Sequence, residues 1–544
     1  MGPDEGDTLV SSDIDRVEPG SEYDEPFVDK GLQPNAIGLV TSTAVGLAST
    51  APAYSLAATL GFVVVVIGVQ APLLVVLAFI PMFFSSWANK EMNRADPDCG
   101  TSFTWAARAL GPRTGWFAGG WGTVAADFLA MASYAQVAGQ YVFLLFGFTS
   151  IGYDATSPWV LLMGIGWIVL LTWICYRGVQ VSARLQVVLI IIEVVLLAVM
   201  AVTALIKVGT GHAPAGHLTP SWAWFDPFKI TSFNTFMQGM LLMLFMYWGW
   251  DTTVSLNEES DEPTRIPGTA GVISTVILLF TFLLVILSVQ SFAGIGTHGV
   301  GLGNPSNQND VLSVLGSAIF GSSGVGQVAS RLLVLMVLTS TAATAQTTIL
   351  PNARTTLSMA FHKALPDAFA RIHPKYRSPT VSTIVFSAMS VVFYVIMNFV
   401  SGGNVIADSV SAGTFFIALY LGITGVACVW HYRRSLFTSG RTLWTQGIMP
   451  GLSGVLLFAL LGWNVYTYTD PSQSYTSWTL PVPPHWTIGG VLVVGIVTSV
   501  VGVGCMLAMR VARPAFFRGE TMHTGLSITD DDRVVQLDPD SSPA

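Results

Sequence analysis

Three acidic residues lie where acids are costly. Asp127, Glu193 and Asp251 each sit near the middle of a stretch otherwise apolar enough to cross a bilayer. A charged side chain at the bilayer centre costs at least roughly 2.5–3.5 kcal/mol on insertion scales. Such residues face a cavity or a partner, and a carboxyl held there can exchange a proton or pair with a cationic group. The plain alternative is a protonated carboxyl bonded to a nearby backbone carbonyl. A second chemistry-bearing pattern is the clustering of glycine, proline and hydroxyl residues inside apolar spans. Backbone at membrane depth must satisfy its own polar groups unless it lines a cavity. Gly46-Leu47-Ala48-Ser49-Thr50-Ala51-Pro52 is one such cluster and Tyr247-Trp248-Gly249-Trp250-Asp251 is another. In the first, Ser49 or Thr50 is placed to cap a second half-helix, with Pro52 in its first turn.

Other patterns point away from enzymatic chemistry. The eight histidines form no HExxH, and the four cysteines (Cys99, Cys175, Cys428 and Cys505) form no CxxC, so no metal site or disulfide framework is expected. No dinucleotide, Walker A or G-x-S-x-G motif is present, so no cofactor is expected. Hydroxyls at Thr339, Ser340, Thr341, Thr344 and Thr347 offer either a sodium ligand set or bonds back to their own helix. Gly115 and Gly119 have the spacing of close helix packing.

The elements that must carry these residues are membrane helices. Of the 544 residues, 52% are hydrophobic and 10% charged, against about 25% charged in an average soluble protein. Between Arg265 and Asp310 there is no Asp, Glu, Lys or Arg. This composition excludes an ordinary cytosolic enzyme, and the net charge of −8 excludes a nucleic-acid binder. Spanning about 30 Å of hydrocarbon takes roughly 20 helical residues. Twelve windows qualify: 36–60, 62–88, 115–147, 157–176, 183–206, 233–257, 268–294, 326–350, 381–400, 406–430, 447–468 and 486–510. With the N-terminus inside, the inner loops carry fifteen Lys and Arg and the outer loops two. The positive-inside rule then puts both termini in the cytoplasm. The connection 207–235, with Trp222, Trp224 and Phe225, reads as an interfacial helix.

The acidic balance belongs to the tails. Residues 1–30 hold ten acidic and two basic residues, and 511–544 hold six and three. No basic stretch leads into an apolar core within residues 1–34, so no cleavable signal peptide is expected. The expected organisation is an acidic disordered cytoplasmic tail (1–34), a transport core (35–430), two additional helices (431–510) and a C-terminal cytoplasmic tail (511–544).

The inner loops resemble those of the amino acid–polyamine–organocation permeases. The matching stretches are Asp98-Cys99-Gly100-Thr101-Ser102-Phe103-Thr104-Trp105, continuing through Gly115–Trp121; Gly178 through Gln186; Glu258-Glu259 with Pro263, Arg265, Ile266 and Pro267; and Ala353-Arg354-Thr355 through Ala364-Leu365-Pro366. The last continues as Phe369 through Pro379, and the matches cover about residues 36–430 in the family's order. The resemblance implies an all-α, LeuT-like fold of two inverted five-helix repeats (36–206 and 233–430) plus two extra helices, working by alternating access. It implies that Gly46, Ser49, Thr50 and Ala51 line the first break and Phe245, Tyr247, Trp248, Gly249 and Trp250 the second, with Phe245 as an aromatic gate. Asp251 matches a position that some relatives use in proton coupling. Where some proton-coupled relatives carry a lysine, fifteen residues after Gly178, this chain has Glu193. Span 1 also lacks the usual close glycine pair and keeps only Gly46.

The resulting expectation is a plasma-membrane permease, not an enzyme. It would import an amino acid or related organic amine with a proton, or with sodium in its place. Asp127, if it faces the cavity, favours a cationic substrate. A polyamine or cationic amino acid exchanger is the near alternative. A nutrient sensor that binds without transporting is the alternative of another class.

Overall fold

The computed structural model describes residues 30–522, apart from 306, 308–310, 322–323, 401–403 and 482. The described chain is almost entirely helical. It opens with α1 (Leu39–Thr50), α2 (Pro52–Ile67) and α3 (Ala71–Ala95), then a short cross-helix α4 (Ser102–Leu110). Next come α5 (Gly122–Leu145), α6 (Pro158–Tyr176) and α7 (Val179–Gly209). The second half begins with α8 (Phe233–Tyr247), the single-turn α9 (Thr252–Ser255) and α10 (Ile266–Ala293). It continues with α11 (Val311–Phe320), α12 (Val325–Phe361), α13 (Thr380–Phe399) and α14 (Val405–Tyr432). The last long helices are α15 (Met449–Thr467) and α16 (Gly490–Ala512), separated by a hairpin of β1 (Ser477–Thr479) and β2 (Thr487–Gly489).

Among the described residues, ten segments are long and apolar enough to cross a membrane, which makes this a polytopic membrane protein. The first of them, Leu39–Ala95, is 57 residues long. At 1.5 Å per residue a straight helix of that length is roughly 85 Å, far more than one crossing needs. It is interrupted at Ala51 and again at a 3₁₀ turn, Gly68–Gln70. The expected boundary between the first two windows, near residue 61, therefore moves to Gly68, whose φ of 65° allows the reversal. The segment 207–235 is not an interfacial helix. It holds two short 3₁₀ turns, Trp222–Phe225 and Pro227–Lys229, with Trp224 buried and Trp222 exposed. Lys30 and Leu32, which sequence alone puts in the tail, are buried.

Packing places the two broken segments together. α1 lies against α7, α10 and α12, while α8 packs on α2 and α3 and α9 on α1. α5 is sandwiched by α6, α12 and α14. Close approach at α4 depends on small residues. A Cβ at Gly115 would collide with Ala107 and one at Gly119 with the Ser102 carbonyl, so this glycine pair serves packing. Three cysteines are buried, Cys505 is exposed, and all four are free thiols.

Candidate binding site at the paired helix breaks

The first break is a single residue. Ala51 adopts a left-handed conformation (φ 49°, ψ 66°), ending α1 and starting α2, with Pro52 in the first helical turn. Neither Ser49 nor Thr50 caps α2. Thr50 Oγ1 donates back to the Gly46 carbonyl (3.1 Å), and Ser49 Oγ pairs with Thr252 Oγ1 (2.8 Å). The free N-terminal amide of α2 instead finds a distant partner: Ala53 N–H donates to Glu193 Oε1 at 2.7 Å. Ser340 Oγ donates to the same oxygen at 2.9 Å and accepts from Tyr54 N–H at 3.3 Å. Glu193 on α7 is thus a cap in trans, positioned where a helix N-terminus favours negative charge.

The second break runs from Trp248 to Asp251. Trp248 is extended (φ −73°, ψ 146°), and Gly249 has φ 119°, a conformation open to glycine. The two breaks touch. A Cβ at Gly249 would stand 2.7 Å from the Ser49 carbonyl carbon and oxygen and 2.9 Å from Thr50 N. Thr344 Oγ1, from α12, donates to the Ser49 carbonyl at 2.6 Å, satisfying backbone that the break leaves open.

Around this contact lies a small cavity of about 10 Å³, lined by Ser49, Asp127, Trp248, Gly249, Asp251 and Thr252, with Tyr134, Thr344, Thr348 and Pro351. That volume admits roughly one water molecule. Two carboxylates therefore share one cavity, and each is anchored. Asn352 Nδ2 donates to Asp127 Oδ2 (2.7 Å), Tyr420 O–H donates to Asp251 Oδ2 (2.7 Å), and Trp248 Nε1–H donates to the same tyrosine oxygen (2.6 Å).

The remaining expected site residues do not line this cavity. Gly46 supports the packing of α1, since a Cβ there would lie 2.7 Å from Ser274 Oγ and Thr253 Cγ2. Tyr247 points the other way, with its ring edge-on to Phe282 and its hydroxyl on the Val75 carbonyl. Trp250 is buried against Gly271 of α10. Thr50 and Ala51 shape the break without walling the cavity. Phe245 packs on Trp248, with ring centroids 6.2 Å apart.

The sequence did not point to Tyr134, Thr252, Thr348 or Pro351 in the lining, nor to Asn352 and Tyr420, which hold its two carboxylates from behind. A signal existed for part of this set. Ser340, Thr344, Thr348 and Asn352 recur every fourth residue and so share one face of α12. The neighbouring Thr339, Thr341 and Thr347 only bond back to carbonyls of their own helix.

A second polar cluster closes one end of the bundle. Arg354 makes a two-pronged pair with Glu259 (2.7 and 3.0 Å), fully buried, joining α12 to the segment after the second break. Lys30 pairs with Asp98 at 3.0 Å and also with Glu258. Asp98 further accepts from Ser358 Oγ (2.6 Å) and Thr104 Oγ1 (3.0 Å) and contacts His362 Nε2 (3.0 Å). Burial alone would raise the Asp98 carboxyl; Lys30, His362 and Arg108 override it and hold it well below the usual carboxylate range. Burial likewise works against the Lys30 ammonium, but Asp98 and Glu258 keep it well above the ordinary lysine value. Asp98, Cys99 and Glu258 are near enough to share a metal ion, but the Lys30 ammonium already bonds both carboxylates.

The family model described as amino acid permease matches residues 34–493. Proteins described as uncharacterized transporters, from Mycobacterium bovis and from two strains of Mycobacterium tuberculosis, are 24% identical over 358 residues, covering 65% of this chain and 72% of theirs.

Proposed function

The chain belongs to the amino acid permease family, and we propose that it imports an amino acid or related organic amine by alternating access at the cavity between its two helix breaks. It is a transporter of the plasma membrane, with a small-molecule substrate. The observation that carries the finer reading is the contact of Gly249 with Ser49, which joins two interrupted helices around a cavity holding Asp127 and Asp251. In this reading the 57-residue segment counts as two crossings, and α8 with α9 forms one further broken crossing. That makes twelve spans in two inverted repeats, 36–206 and 233–430, followed by two additional helices, with both termini in the cytoplasm. Paired breaks at corresponding places in two halves are the mark of such transporters.

Ser49, Asp127, Trp248, Gly249 and Asp251 form the substrate site, with Phe245 as its gate. The cavity is too small for an amino acid, so the closed arrangement described here must open at one end to load. The Arg354–Glu259 and Lys30–Asp98–Glu258 pairs hold the cytoplasmic end shut. Two carboxylates favour a positively charged amine over an anionic ligand, which supports a cationic amino acid or polyamine as the second reading of substrate.

Glu193 carries the coupled proton. A protonated carboxyl is a weaker acceptor for Ala53 N–H than a carboxylate, so proton binding loosens the cap that holds α2 at the hinge. The test is uptake of labelled amino acids and polyamines into proteoliposomes, with and without a pH gradient. Saturable, gradient-stimulated uptake is expected, and Glu193→Gln should remove the gradient dependence. Absence of saturable uptake for every candidate overturns the transport reading; unchanged pH dependence in the variant removes Glu193 from coupling.

A further inference from the structure

A concave basic pocket of about 330 Å³ lies away from the helix breaks, between the end of α6, the start of α7 and the loop before α13. It is lined by Arg177, Lys375 and Arg377, with Gln33, Gln180 and Tyr376. We propose that it binds an anionic phosphate ester, in the form of the headgroup of a phospholipid in the adjoining leaflet.

Four observations support this. Its volume is that of a ligand pocket. Its cations keep their charge unpaired by acids: among the described residues no carboxylate pairs with Arg177, Lys375 or Arg377, whose contacts include the rings of Trp173 and Tyr376. Three positive charges and two amide side chains converge on a space that holds no acid. Guanidinium and ammonium groups in this arrangement match phosphate oxygens.

The pocket is also built rather than incidental. The loop 373–378 is clamped on the end of α6. Ser378 Oγ donates to the Tyr176 carbonyl (2.7 Å), and the Lys375 and Tyr376 amides both donate to His373 Nδ1 (3.1 and 3.2 Å). The Arg177 guanidinium donates to Tyr376 Oη at 2.7 Å. Arg377 is held at φ 48°, a left-handed conformation that a non-glycine residue rarely adopts. Strain of this kind persists where surrounding contacts impose it, often at ligand sites.

The surface beside the pocket selects lipid as the source. Val181 is exposed at its rim, and Val188, Ile192, Val195 and Val199 continue an exposed apolar stripe along α7. A phosphate seated among the arginines thus has an acyl-chain track directly below it. Basic pockets between membrane helices on the cytoplasmic side are suited to anionic headgroups.

The test uses the full chain and the variant Lys375→Gln/Arg377→Asn, in which asparagine tolerates the left-handed backbone. Binding is read by native mass spectrometry and by thermal stability in nanodiscs, so it does not depend on transport. Wild type should retain phosphatidylglycerol and be stabilised by it but not by phosphatidylcholine. The variant should bind it roughly tenfold or more weakly, for loss of charge-assisted bonds. Soluble glycerol phosphate separates the sources: weak, competitive binding supports the lipid, and binding as tight as the lipid's overturns the headgroup assignment. Equal phosphatidylglycerol binding by wild type and variant overturns the proposal. So does a wild type that binds no phosphate probe until Asp24, Glu25 and Asp29 are made amides, because the pocket then belongs to the chain's own acidic segment.

Discussion

Asp127 and Asp251 show how one residue type can hold two positions on a single cavity. Each accepts from a neutral donor, Asn352 in one case and Tyr420 in the other, and among the described residues no cation pairs with either. A ligand amine would supply the missing positive charge. Asp127→Asn keeps the shape and removes the charge. Its expected effect is a loss of affinity for cationic substrates of about ten- to a hundredfold, the scale of a charge-assisted hydrogen bond. Thermal-shift titration with an amine panel reads this directly. Unchanged amine affinity in the variant places the substrate's cation elsewhere. Glu193 differs from both aspartates. It serves an N–H of the protein's own backbone, which makes it a candidate for coupling rather than for substrate contact. Its position fifteen residues after Gly178 was legible in the sequence. Its partner, Ala53, was not, because the pair is 140 residues apart in the chain.

The helices show why the breaks occur where they do. Span 1 breaks at Ala51 because Pro52 cannot supply an amide to continue α1, and span 6 breaks at Gly249 because φ 119° is open to glycine. Gly249→Ala is expected to fail twice, through its φ and through a methyl 2.7 Å from the Ser49 backbone, where nothing flexible can yield. The measurable result is a lower melting temperature together with loss of substrate binding. A stable, active alanine variant would mean that the two breaks do not depend on this contact. Element existence was largely readable from hydrophobicity, since the expected windows reappear as helices. Boundaries and local caps were less so. The capping role expected of Ser49 or Thr50 went to Glu193, because both residues still belong to α1 and the N-cap position of α2 falls on Ala51, whose methyl accepts nothing.

At the scale of the molecule, the buried ion-pair cluster ties together segments distant in sequence. It connects residue 30, the loop before α4, the segment after α9, and the end of α12. Its pH dependence follows from the two shifts. The lowered Asp98 group stabilises the fold fully above its unfolded value of about 4 and loses that contribution as pH falls toward its folded value. The raised Lys30 group stabilises fully below about 10.4 and loses its contribution as pH rises beyond it. Melting temperature should therefore fall on the acid side of about pH 4. Asp98→Asn should lower the melting temperature at neutral pH and flatten that acid limb. An acid limb as steep as in wild type would show that Asp98 does not control it.

Composition and periodicity alone determined that this is a polytopic helical membrane protein, and the loop motifs identified its family. These properties follow from solvent exclusion and local backbone chemistry, which each stretch of chain carries by itself. Tertiary structure decided which side chains meet. It turned Tyr247 and Trp250 away from the cavity, brought Tyr134 into its wall and Tyr420 onto Asp251, and set Lys30 among carboxylates. Those outcomes depend on how helices far apart in sequence rotate and pack, and no local pattern encodes that rotation.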